Sequence, residues 1–221
     1  IDCSANNLFS LNLKNGNNLN FTGGNFKNNP KLTCIQVDDK DFSDTNWPNL
    51  KETTVSYALV CDNNSFTLIP DAVFENRLIQ LGIDKDGANG GVLTSSISSL
   101  KEVSLYRAQG SLEPAIQDLT GIQDFKALEK LSVSNNKLSE LDLSGNVALT
   151  EVGCGYNRLS KINLSKNILL TKVDCPSNYL AQIDFSKNAE LLTVNCQENQ
   201  LTSLDFSKNP KFNYLYAHTN K

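Results

Sequence analysis

Apolar positions recur in this chain at a fixed step of 21 residues. Leu131, Val152, Val173, Val194 and Leu215 hold one phase, and Val133, Cys154, Cys175, Cys196 and Ala217 a second. Leu138, Leu159, Leu180 and Leu201 follow the same step. So do Leu141, Ile162, Ile183 and Leu204, and Leu143, Leu164, Phe185 and Phe206. One polar position is equally regular: Asn136, Asn157, Asn178, Asn199 and Asn220. A strict period of this length predicts a solenoid in which one unit is one coil, each burying its apolar side chains only against its neighbours.

The consensus L-x-x-L-x-V/C-x-x-N-x-L-x-x-L-x-L-S-x-N-x-x is the leucine-rich-repeat pattern. Each unit opens with apolar residues at period two, as in Leu131-x-Val133, which predicts a short strand. Strands of successive coils then pair in parallel, roughly 4.8 Å apart. An inward Asn amide both donates and accepts, so it satisfies main-chain groups in a bend without regular partners. Leucine there would leave buried groups unpaired, at ~1–3 kcal/mol. The second half of the unit echoes the first, with Leu141-Asp142-Leu143-Ser144-x-Asn146 after Leu131-Ser132-Val133-x-x-Asn136. That predicts extended chain and a tight turn on the convex side. The fold class expected is an α/β repeat solenoid, mostly β, narrow and weakly curved. Parallel strands line its concave face, with little helix and one short capping helix.

These units resemble those of secreted bacterial leucine-rich-repeat proteins, including internalin-type adhesins with a ladder of cysteines. The resemblance is closest over 125–221 and partial over 66–124 and 1–61. It implies a non-enzymatic extracellular binding or adhesion module, secreted or at the cell surface. Ile1-Asp2-Cys3-x-x-Asn6-x-Leu8-x-x-Leu11-x-Leu13 matches the repeat from its strand onward. An irregular coil with an Asn28-Asn29-Pro30 turn follows, then Leu32, Ile35 and Val37 as a final strand. Residues 1–61 are therefore expected to be the end of one array with its C-terminal cap, and 62–65 a linker. Residues 66–99 resemble an N-terminal cap. Its helix is expected over about 71–81, N-capped by Asp71, apolar through Phe74, Leu78 and Leu81, and stopped by Gly82. Residues 100–221 are the second array. Its first unit is long, with Leu100 and Leu128 lying 28 apart, and a loop is expected from Arg107 to Pro114.

The six cysteines fall into two groups. Cys3, Cys154, Cys175 and Cys196 sit in strand phase and are expected as buried thiols acting as small hydrophobes. Cys34 and Cys61 lie outside that ladder. They are expected to form a disulfide across 27 residues that staples a cap; in the resembled proteins a similar Cys-containing capping segment follows the last repeat. Such a bond belongs in an oxidising compartment.

Charge and composition narrow the function. The net charge is −4 with no basic cluster, which argues against nucleic acid. No run approaches ~18 apolar residues, so no membrane span is expected. The chain has no Met and is read as a mature product or a fragment. It contains one His, no Gly-rich phosphate loop and no nucleophile motif, so no catalytic residue, cofactor or metal site is proposed. Asp84-Lys-Asp86-Gly87-Ala-Asn89-Gly90 has some calcium-loop character, but Ala88 takes a ligand position and the segment reads as a turn. Asp38-Asp39-Lys40-Asp41 reads as a solvated turn.

What remains is surface. The outward strand positions and their flanks carry Tyr156, Arg158, Tyr179, Glu198, Tyr214, Tyr216 and His218. Exposed aromatic and Arg side chains on a rigid sheet suit recognition of a protein ligand. Tyrosine also stacks on sugars, so a glycan-binding accessory domain is an alternative. A further alternative is head-to-tail self-assembly, with Phe212 and Leu215 behind one open repeat edge and Ile1 and Cys3 at the other.

Overall fold

The computed structural model of the chain describes residues 1–8, 10–59, 61, 66–85 and 87–221. They divide into two compact units, Ile1–Phe66 and Thr67–Lys221. The expected linker 62–65 and Asp86 lie outside the described residues.

In the first unit, β1 (Leu11–Asn12), β2 (Cys34–Gln36) and β3 (Ser56–Ala58) form a parallel sheet in that order. Leu11 lies opposite Ile35, and Ile35 opposite Tyr57. A second contact between coils is the parallel bridge Asp2–Asn25. Two expectations are corrected here. The strand at Ile35 is not the last, because β3 pairs beyond it. The Asn28-Asn29 turn is not irregular, because Asn29 is a ladder residue. Its Nδ2 donates to Cys3 O at 2.9 Å and Phe26 O at 3.0 Å, and its Oδ1 accepts Leu8 N at 3.1 Å. The step from Asn6 to Asn29 is 23 residues, which hides the phase.

The segment read as an acidic turn is also corrected. Asp39 N-caps a helix, α1 (Lys40–Asn46), by accepting Phe42 N at 2.9 Å. Asp38 accepts the main-chain N–H groups of Asn15 and Asn17. Trp47 packs edge-on against Phe21, Phe42 and Tyr57, whose hydroxyl donates to Trp47 O at 3.0 Å. The disulfide Cys34–Cys61 closes this unit from β2.

The boundary between the units falls within β4 (Phe66–Leu68), which is followed by α2 (Ala72–Gln80), β5 (Gly91–Leu93) and α3 (Thr94–Ile97). Asp71 caps α2 as expected, its Oδ1 accepting Val73 N and Phe74 N. Its other oxygen accepts Gln117 N and Asp118 N, so one carboxylate ties the helix to the first coil. Phe74 and Leu78 are buried, but Leu81 is exposed and does not belong to the apolar face. Helices α1 and α3 add to the single helix expected. Gly121, at φ +104°, is required: a Cβ there would meet Ile69 Cδ1 at 2.4 Å and Leu68 O at 2.5 Å.

Six parallel strands then stack in sequence order. They are β6 (Glu102–Ser104), β7 (Lys130–Ser132), β8 (Glu151–Gly153), β9 (Lys172–Asp174), β10 (Thr193–Asn195) and β11 (Tyr214–Tyr216). The register is residue for residue along the repeat: Leu131, Val152, Val173, Val194 and Leu215 lie side by side. Leu131, Val152, Val173 and Val194 face one continuous core with the leucines of the other phases and with Phe74, Phe125 and Phe185. The other side of each coil is extended chain with a turn, as the echo in the unit predicts. Here a second column, Asn146, Asn167, Asn188 and Asn209, donates to carbonyls one coil back, for example Asn167 Nδ2 to Leu143 O at 3.0 Å.

Candidate recognition face

A three-residue strand with its central side chain in the core turns its two flanking residues outward. On the first strands these outward residues are charged and of mixed sign. Lys130 Nζ pairs with Glu151 at 2.8 Å, and Lys101 with Glu129 at 2.8 Å. Ser104, Ser132 and Gly153 are small and leave a hollow between Glu102, Lys130, Glu151 and Lys172. Towards the last strands the face loses its charge. Asn195 Nδ2 donates to Asp174 at 2.8 Å, and beyond it stand Thr193, Gln197, Tyr214 and Tyr216. Both tyrosines are exposed on β11.

The rim of the face is built by the turns that follow the strands. Asn135, Tyr156, Ser177, Glu198 and Thr219 all have φ between 51° and 59°. This left-handed conformation is disfavoured by about 1–2 kcal/mol for residues with a Cβ. The turn compensates in hydrogen bonds. Tyr156 N donates to Pro176 O at 2.8 Å and Glu198 N to His218 O at 3.0 Å, which continues the sheet. The next residue, the ladder Asn, is thereby aimed inward. Asn157 Nδ2 donates to Val133 O and Cys154 O, and its Oδ1 accepts Leu138 N at 3.0 Å. The side chains at the turn point away, and Tyr156 and Tyr179 are exposed. Ser177 Oγ donates to Glu198 at 2.5 Å.

The residues singled out from the sequence therefore fall into distinct places. Tyr214 and Tyr216 stand on a strand. Tyr156 and Glu198 occupy left-handed turns, while Arg158 and Tyr179 directly follow a ladder Asn. His218 is not on a strand as expected but two residues beyond β11, with Nδ1 3.0 Å from Thr219 Oγ1. Phe212 stacks on Phe206 with ring centroids 3.8 Å apart. Leu215 is 45% exposed, where Val194 is 0%. Ile1 and Cys3 belong to the other unit and flank the bridge to Asn25: Asn25 N donates to Ile1 O and Cys3 N to Asn25 O. Tyr106 and Leu112 are exposed as well. Tyr106 stands where Ser134 stands in the next coil, so its signal is repeat phase, whereas Leu112 lies in the extra length of the 28-residue unit.

Chemistry at this face is limited. Cys154, Cys175 and Cys196 are buried and free. Burial, reinforced by Asp174, pushes the Cys154 thiol up to about 12, and burial raises Cys196 to about 11. Cys175 is also raised, by burial first and then by its neighbours. Such thiols are not nucleophiles at neutral pH. Cys3 departs from the buried ladder expected of it and is only partly covered. Among the described residues no group of three or more His, Cys, Asp or Glu could hold a metal. In the segment with calcium-loop character, Asn89 N, Gly90 N and Gly91 N donate to Glu75 Oε1 at 2.5, 2.5 and 3.0 Å. That part of it closes on a carboxylate of α2. No described helix is long and apolar enough to cross a membrane.

No protein-family model matches the sequence, and no curated protein does. Solved structures do. The functional domain of InlJ from Listeria monocytogenes, which includes a cysteine ladder, matches at 21% identity and a TM-score of 0.41, over 73% of this chain and 45% of that one. An internalin, InlF, from Listeria monocytogenes str. 4b F2365 matches at 15% identity and a TM-score of 0.52, over 90% of this chain and 59% of that one. The chain thus spans between 45% and 59% of the length of these structures. The likeness to InlF, together with the six-stranded parallel sheet and the repeat register, makes the fold a leucine-rich-repeat solenoid of the kind seen in that internalin.

Proposed function

We propose that this chain is a non-enzymatic recognition module, displayed outside the cell, that binds a protein ligand along the strand face and its rim. The observation that carries the reading is the placing of Tyr156, Tyr179, Tyr214 and Tyr216. All four rings are exposed on a frame whose turns are held by main-chain bonds and ladder asparagines. Large amphipathic rings on a rigid base lose little conformational entropy on binding. Arg158 and Glu198 on the same rim supply the polar contacts that suit a protein surface. Display outside the cell is supported by the Cys34–Cys61 disulfide, which persists in oxidising compartments.

Two other readings keep an observation each. The last strands carry aromatic rings on an uncharged face, which suits a glycan. The exposed side of Leu215 would suit a second copy of the chain. Parallel selections separate the classes. The wild-type chain is panned against a displayed random-peptide library and probed on a glycan array, and its solution mass is followed with concentration. The protein reading expects enriched peptides that lose binding when Tyr179 and Tyr216 are both changed to Ala. Glycan signals without enriched peptides, or a mass that rises with concentration, support the other readings instead.

A further inference from the structure

One outward position of the sheet has no side chain. The strand register sets Ser104, Ser132, Gly153, Asp174, Asn195 and Tyr216 side by side, and Gly153 interrupts that row in mid-sheet. Neither conformation nor packing requires glycine there. Its backbone is that of an ordinary strand. A Cβ would meet nothing nearer than Ser134 Oγ at 3.7 Å, with Leu131 O and Ser132 Oγ at 3.8 Å. Gly155, two residues on, is the contrast, since a Cβ there would strike Pro176 Cδ at 2.6 Å. Glycine inside a strand weakens it, and such a residue often marks close approach by a ligand or another backbone.

The hollow over Gly153 measures about 230 Å³. Sites for free small molecules run to roughly 300–1,000 Å³, so this one has the size for a single side chain. Three oxygens surround its floor, Ser132 Oγ, Ser134 Oγ and Leu131 O. Its walls hold three carboxylates, Glu102, Glu151 and Asp174, and two ammonium groups, Lys130 and Lys172. Position settles the sign. Asp174 lies directly across from Gly153 on the next strand, at a backbone spacing of roughly 4.8 Å, and Glu151 lies two residues back on the same face, at roughly 6.7 Å. Lys130 and Lys172 both lie on the diagonal, roughly 8 Å away. Lys130 is moreover committed: its Nζ bonds Glu151 at 2.8 Å, which raises its pKa, and Glu102 and Glu129 raise it further. Asp174 accepts Asn195 Nδ2 and makes no ion pair among the described residues.

We propose that this hollow receives one Arg or Lys side chain of the protein ligand, its cation seated over Gly153 between Asp174 and Glu151. This rests on the reading of the strand face as a protein-binding surface, and it gives that ligand a required charge. An acidic side chain would enter against the two nearest carboxylates. A sugar would find no aromatic ring among the lining residues to stack on. The tyrosines of β11 stand three strands from β8, roughly 14 Å away, a span that one ligand of ordinary interface size covers.

The test uses the whole chain and the displayed random-peptide library as probe. Peptides selected on wild type should carry an Arg or Lys whose change to Gln weakens binding about tenfold or more. Gly153→Val fills the hollow with a side chain that suits a strand. It should weaken the same peptides about as much, without lowering the urea midpoint of the chain. Asp174→Asn removes the charge and keeps an acceptor for Asn195. It should weaken the basic peptides about tenfold and leave their Gln forms within about threefold of wild type, the coupling that a direct pair shows. Binding to Gly153→Val within about threefold of wild type for every selected peptide overturns the proposal. So do selected peptides that need Asp or Glu in place of Arg or Lys. If in either case the peptides still fail on the Tyr179→Ala, Tyr216→Ala chain, the reading of the face stands and only the hollow falls. If no peptide is enriched, both fall.

Discussion

The Oδ1 of Asn178 accepts the main-chain N–H of Leu159, one coil back, at 3.0 Å. The same amide donates to Cys154 O at 3.1 Å and to Cys175 O at 3.3 Å, so one side chain satisfies two consecutive coils. Asn178→Leu should leave Leu159 N without a partner in the interior, while Cys154 O and Cys175 O each keep one donor, from Asn157 and Asn199. The expected loss is about 1–3 kcal/mol, the cost of one orphaned group. Asn167 in the second column donates to Leu143 O and Asn146 O, but its own Oδ1 takes no donor among the described residues. Asn167→Leu should therefore be the milder change. Urea unfolding followed by far-UV circular dichroism compares the two midpoints, and equal losses would contradict the ladder argument.

Trp47 is the single tryptophan, and it is buried in the first unit near Tyr57. Its fluorescence reports that unit. The Cys34–Cys61 bond closes 27 residues, for which loop-closure entropy gives about 3.5 kcal/mol. A Cys34→Ser, Cys61→Ser chain should show its Trp47 transition at clearly lower urea. The transition of the repeat array, read by labelling of the buried thiols Cys154, Cys175 and Cys196, should not follow it.

The thiols of the ladder give a pH dependence. Burial raises Cys154 to about 12 and Cys196 to about 11, against an ordinary value of 9.0. Above pH 9 the unfolded chain loses these protons before the folded one does. The unfolded state then binds fewer protons, and stability falls as pH rises from about 9 towards 12. Below pH 9 the contribution is complete and flat. Cys154→Ala should flatten part of the alkaline decline. In native protein at pH 8, a thiol reagent should reach Cys3 and spare Cys154, Cys175 and Cys196, all three of which react on unfolding. Rapid labelling of the ladder thiols in native protein would contradict this packing.

The repeat array was readable because each coil states its register three ways, as at Val152, Asn157 and Leu164. The cap helix was readable from Asp71 and Gly82, which act locally. Helix α1 was not. Its seven residues, Lys40–Asn46, are mostly polar turn formers, and what anchors their end is packing of Trp47 against the distant Phe21 and Tyr57. The coil around Asn29 was hidden by two extra residues that the backbone absorbs without losing its hydrogen bonds. At the candidate site, the exposure of the tyrosines followed from repeat phase. Their division between strand and rim did not, because Tyr156 and Glu198 occupy a left-handed turn where glycine or asparagine is the usual signal. The loop expected from Arg107 to Pro114 is held by the Arg107 side chain, which donates to Glu113 O and Ser111 O, and only the odd length of that unit pointed to it.

The central claim is that the tyrosine-bearing face and rim bind a protein ligand. The measurement that tests it most directly is a titration of a peptide selected on the wild-type chain against wild type and the Tyr179→Ala, Tyr216→Ala chain. Both residues are exposed, so stability should change by no more than about 0.5 kcal/mol. Saturable binding that weakens at least about tenfold in the variant, with an unchanged urea midpoint, is the predicted result. Equal affinity of the two chains for every selected peptide would contradict the claim.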